Sequence, residues 1–125
     1  LSYLLDVTIP KLPDLQVAAA KGHWRTRYAQ KKAWHKLVSD LVLADHYVPD
    51  QPLSKAELEC IRYSTREPDR DNLASSFKAI IDALVNLEIL EDDRPSVVGS
   101  PTFRWEAAKR GEGRVRVIVR AVADD

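Results

Sequence analysis

A chain of 125 residues is the size of one domain, and such a domain buries roughly two thirds of the surface that its unfolded form exposes, so it needs no staples. The lone Cys60 excludes an internal disulfide, no run of about 18 apolar residues suggests a membrane span, and no secretory leader is recognisable, which together predict a cytoplasmic protein. Lys plus Arg (19) equals Asp plus Glu (19), so overall charge selects no partner.

Residues 3–9 alternate, with Leu5, Val7 and Ile9 on one side and Leu4, Asp6 and Thr8 on the other, the period of a strand ended by Pro10 and Pro13. Residues 11–24 read as a long loop carrying Lys21, His23 and Trp24. From 26 to 44, Ala33, Leu37, Val38, Leu41 and Ala44 recur at helical spacing. The stretch 21–36 holds Lys21, Arg25, Arg27, Lys31, Lys32 and Lys36, with no acid between Asp14 and Asp40. Such a run is either a solvated helix face or a surface for a polyanion.

After Pro49 and Pro52, residues 54–63 alternate Ala56, Leu58 and Cys60 against Lys55, Glu57 and Glu59, a half-buried strand. Leu73, Phe77, Ile80, Ile81 and Leu84 then predict a second helix over 72–87. Pro95 stops any continuation, and 97–107 is a candidate strand interrupted by Gly99 and Pro101. A turn at 109–113 leads into the clearest strand, where Val115, Val117, Val119 and Ala121 alternate with Arg114, Arg116 and Arg120. The order β-α-β-α-β-β predicts an α+β fold, a small mixed four-stranded sheet with two helices on one face. The Arg-bearing side of the last strand is expected to face water, a partner chain or nucleic acid.

Two acidic clusters flank the second helix: Asp69-Arg70-Asp71-Asn72 before it and Glu91-Asp92-Asp93 after it. Gathered carboxylates repel one another unless a hard cation sits among them. Asp71 also suits a helix cap, and Asp-rich turns after helices need no ligand. Capping leaves Asp69 unexplained, and carboxylates two residues apart in extended chain project to the same side, as two ligands of one metal would. Lys78, seven residues beyond Asp71, either leans back toward a metal-bound phosphate or pairs with Asp82 one turn on. His23, His35 and His46 lack partners at zinc spacing.

The motifs Asp69-Arg70-Asp71-Asn72-Leu73, Phe77-Lys78-Ala79-Ile80-Ile81-Asp82-Ala83-Leu84 and Glu91-Asp92-Asp93 with Val97-Val98 resemble the RusA family of crossover junction endodeoxyribonucleases. The likeness covers about a quarter of the chain. It implies a homodimeric nuclease of phage or prophage type that uses Mg²⁺, with Mn²⁺ as the substitute ion. Such an enzyme resolves four-way Holliday junctions by paired symmetric nicks in recombination and repair.

Carried over by position, its metal-binding and catalytic carboxylates fall on Asp69, Asp71 and Asp93, and its catalytic lysine on Lys78. Asp92 is the neighbour most easily confused with Asp93. Ala74, Ser75 and Ser76 look like an insertion ahead of Lys78, and the approach to the motif is less basic than in some relatives. Phosphate contacts are therefore expected from Lys21, Arg25, Arg27, Arg66 and Arg70, with Trp24 stacking on an unpaired base. Trp34 is expected in the core or an interface. A non-catalytic branched-DNA binder of the same fold is the competing expectation.

Overall fold

The structure is a computed structural model, and it describes residues 3–15 and 24–123. Four strands, β1 (Leu4–Ile9), β2 (Ala56–Ser64), β3 (Thr102–Ala107) and β4 (Arg114–Ala121), form one sheet in the order β1-β4-β2-β3. β4 runs antiparallel to both β1 and β2, while β3 lies parallel to β2 at the edge. Four helices accompany it: α1 (Trp24–Asp45), α2 (Arg70–Ser76), α3 (Lys78–Asn86) and the short α4 (Pro95–Val98). The mixed α+β sheet expected from the alternation is therefore present.

Strand periodicity sends Leu5, Val7 and Ile9, Leu58 and Cys60, and Val115, Val117 and Val119 into one core against the helices. From α1 that core takes Trp34, Val38 and Val42, spaced four apart, so Trp34 is a core residue. Ala33 and Ala44, expected on the stripe, are exposed instead. From α3 it takes Ile80, Ile81 and Leu84. The opposite sheet face carries charge: Arg116 pairs with Asp6, and Arg104 and Arg120 both reach Glu59. Beneath these lie Ile61 and Ile118, 0% and 5% exposed and outside the main core cluster.

Three boundaries depart from the periodicity. Trp24 and Arg25 begin α1 rather than ending a loop. The helix expected over 72–87 is two, interrupted at Phe77. The cause is local: the Ser75 hydroxyl donates to the Asp71 carbonyl at 2.6 Å and the Ser76 hydroxyl to the Leu73 carbonyl at 2.7 Å. Serine bonds back onto the preceding turn bend helices. Phe77 is fully buried against Phe103, with ring centroids 5.9 Å apart, so the break is packed into the core. Finally, 95–98 is a helical turn rather than strand: Pro95 starts it, as proline can at a first helical position, and Gly99 at φ 57 ends it.

Candidate active site

Asp69 is the residue that caps α2, and its carboxylate makes no capping hydrogen bond. Its backbone carbonyl alone enters the helix, accepting from the Leu73 amide at 2.8 Å. Asp71 lies in the first turn, and both acids are exposed. Negative charge is tolerated there because the amides of a helix start carry partial positive charge. Arg66 and Arg70, also exposed, flank the pair with no acidic partner among the described residues.

The second acidic cluster is anchored elsewhere. Ile89 and Leu90 are buried, and Leu53 clamps the chain between them: its amide donates to the Ile89 carbonyl at 2.9 Å and its carbonyl accepts from the Glu91 amide at 3.0 Å. Asp92 accepts from the Asp93 amide at 2.7 Å and pairs with Arg94 at 2.9 Å. That backbone bond, the neighbouring Asp93 side chain and the Arg94 cation hold its carboxyl below the ordinary aspartate value. Asp92 is thus held by its immediate neighbours in the chain.

Asp92 and Asp93 open onto a small cleft of about 240 Å³ that they share with Lys31, Asp82 and Asn86. Asn86 closes α3, so this cleft lies toward the far end of the helical pair that Asp69 begins. Among the described residues, no three of His, Cys, Asp and Glu are gathered as a metal would need. Asp69 and Asp71 thus share the start of α2, while Asp93 follows the end of α3. Two carboxylates still suit Mg²⁺, which commonly takes one or two and completes its shell with water and phosphate oxygens.

Lys78 departs from the expected pairing with Asp82. It is exposed and has no ion pair among the described residues; Asp82, one turn on, pairs instead with Lys31 of α1 at 3.5 Å. Lys78 lines a cleft of about 460 Å³ between α1 and the α2–α3 pair, opposite Arg27 and Lys31. The basic turns of α1 therefore face the lysine of α3. Lys31 was legible only as one member of a basic run, because sequence spacing carries no information about which helix faces it. Lys21 and the side chain of Trp24 lie outside the described residues.

Beside this seam, the Asn86 amide meets His35 Nδ1 at 2.8 Å, while His35 Nε2 is buried without a partner among the described residues. Burial and the nearby Lys31 cation push the His35 imidazole below its ordinary value, against a smaller opposing effect of Asp82. The ring is therefore neutral near pH 7. No helix among the described residues is long and apolar enough to cross a membrane. No family model matches the chain, and no curated protein matches it.

Proposed function

We propose that the chain is a metal-dependent endonuclease acting on branched DNA, with the four-way Holliday junction as its substrate and a two-fold homodimer as its working form. The observation that carries this is the pair Asp69 and Asp71: two exposed carboxylates at the start of α2, the first on the cap position without a capping bond. Neither carboxylate has a structural partner among the described residues, so both stay available to a cation. The resemblance of this stretch and of the Lys78 and Asp93 stretches to RusA nucleases supplies the substrate, the dimer and the bacterial or phage-infected cytoplasm as the setting.

In this reading Asp69 and Asp71 hold the ion, with Asp93 as the third carboxylate that the resemblance assigns. A bound Mg²⁺ polarises phosphate and lowers the pKa of water. The chain itself orients the strand: Arg66 and Arg70 attract phosphate beside the acids, and Lys78 offers a cation to charge developing on phosphoryl oxygens. Two-fold symmetry of the substrate calls for two such sites facing one another.

One observation favours a second reading, a binder of branched DNA that does not cut: no three-ligand acidic group is assembled among the described residues. Cleavage of a labelled four-way junction against linear duplex, with Mg²⁺ and with chelator, separates them. Nicks in the junction that need Mg²⁺ support the nuclease. Tight binding without any nick leaves the binder.

A further inference from the structure

The cleft between α1 and α3 has a charge balance that its own side chains leave incomplete. Its cations are Arg27, Lys31 and Lys78, and its acids are Asp14 and Asp82. Both acids are engaged: Asp82 pairs with Lys31 at 3.5 Å, and Asp14 accepts from the Gln30 amide at 3.1 Å. Arg27 and Lys78 have no acidic partner among the described residues. They stand on opposite walls, one on each helix. A cleft of about 460 Å³ is within the range of small-ligand sites.

At its mouth Tyr28 follows Arg27 and is 62% exposed, an aromatic ring presented to solvent beside unpaired cations. The Lys32 ammonium lies 5.8 Å from the centre of that ring, adding a further positive group. Cations that track a backbone beside a ring on which a base can lie form the recurring surface for single strands.

We propose that this cleft seats a segment of single-stranded nucleic acid, with a backbone phosphate held between Arg27, Lys31 and Lys78 and a base laid on Tyr28. The inference rests on the reading of the chain as a DNA-acting protein and adds the surface that takes an unpaired strand. Asp82 sets its affinity. The Lys31–Asp82 pair is long, and the lysine side chain is 53% exposed, so a phosphate competes with Asp82 for that ammonium at little cost.

The test is fluorescence anisotropy of a short labelled oligothymidylate in chelator, over about 50 to 200 mM salt. Substituting Arg27→Gln with Lys78→Gln lowers affinity at least about tenfold and flattens the salt slope by about 1.4, near 0.7 per contact removed. The charge-keeping Arg27→Lys with Lys78→Arg restores the slope. Tyr28→Ala weakens binding about fivefold and leaves the slope alone. Asp82→Asn tightens binding severalfold, a gain that a merely structural role would not produce.

A double glutamine variant with the parent's affinity and slope overturns the inference. So does Asp82→Asn that binds no tighter, a Tyr28→Ala protein that binds like the parent, or polyglutamate of equal charge bound as tightly as the oligonucleotide. Junction cutting measured in parallel separates the two ideas. A parent that binds in this pattern but never cuts keeps the seat and loses the nuclease, whereas a parent that cuts junctions but whose oligothymidylate binding is unmoved by Arg27→Gln and Tyr28→Ala does the reverse.

Discussion

Arg116 reaches Asp6 with both prongs of its guanidinium, Nε donating to Oδ1 at 2.8 Å and Nη2 to Oδ2, and so ties β4 to β1 on the open face of the sheet. The residues are diagonal neighbours, since Asp6 stands opposite Ile118 and Arg116 opposite Thr8. The hydrogen bonds from Arg116 hold the Asp6 carboxyl below its ordinary value, against a smaller upward push from burial. A depressed carboxyl contributes stability above its unfolded pKa of about 3.9 and loses it as pH falls through the folded value. Asp6→Asn should therefore destabilise by less than about 1 kcal/mol at pH 7, since Asp6 is 39% exposed. Urea unfolding of parent and variant should converge on acidification below about pH 4; a gap that widens there contradicts the assignment.

The acids at the two ends of α2 and α3 give a sharper test of the proposed chemistry. Asp71→Asn should lower junction cutting about a hundredfold or more while leaving junction binding intact, because it removes a ligand and a negative charge together. The same loss is expected for Asp93→Asn if the third carboxylate joins the first two on DNA. Cutting retained in Asp71→Asn removes the nuclease reading. Cutting retained only in Asp93→Asn confines the metal ligands to Asp69 and Asp71.

What sequence made legible was local. Alternation located β1, β2 and β4 because one sheet face is apolar, and the polar faces of β4 and β1 announced the open surface that Arg116 and Asp6 now share. The Ser75–Ser76 pair also contained the helix break, through hydroxyls that reach the preceding turn, yet the apolar stripe from Leu73 to Leu84 ran through it unbroken. Distances between segments were not legible. Asp93 is placed by Leu53, some forty residues earlier, and Lys31 meets Asp82 only because α1 packs on α3. Neither contact has a periodicity to reveal it.

Arg62 shows how the core and the cleft are joined. It is 8% exposed on the helix-facing side of β2, and its Nη1 donates to the Pro13 carbonyl at 2.8 Å, which pins residues 11–15 beside the cleft that Pro13 and Asp14 line. Burial lowers the guanidinium pKa, with Asp14 opposing, but an arginine stays charged. Arg62→Ala leaves that carbonyl without its donor and opens a void, for about 2 to 3 kcal/mol. Arg62→Met keeps the packing of the stem and should cost about 1 to 2 kcal/mol. Faster hydrogen exchange or proteolysis within 11–15 in both variants, alongside the urea midpoints, checks that the loop is what loosens.

Glu88 is the one residue other than glycine with positive φ among the described residues, at 62°. It follows the end of α3, where Glu88 donates its amide to the Val85 carbonyl at 3.0 Å and Ile89 to the Leu84 carbonyl at 3.0 Å. A left-handed residue in that position closes a helix, and glycine fills it without the clash of a β-carbon. Glutamate there also sets a negative charge beside carbonyls that already carry partial negative charge. Its side chain is exposed, so little packing is lost on removing it. Both effects point the same way, and together they exceed the entropy that glycine adds to the unfolded chain. Glu88→Gly should stabilise by about 1 kcal/mol, raising Tm by roughly 4 °C in a domain of this size. Glu88→Ala removes the charge but keeps the β-carbon and should recover only the smaller, electrostatic part. A glycine variant that melts at or below the parent would mean that the left-handed conformation at Glu88 carries no strain.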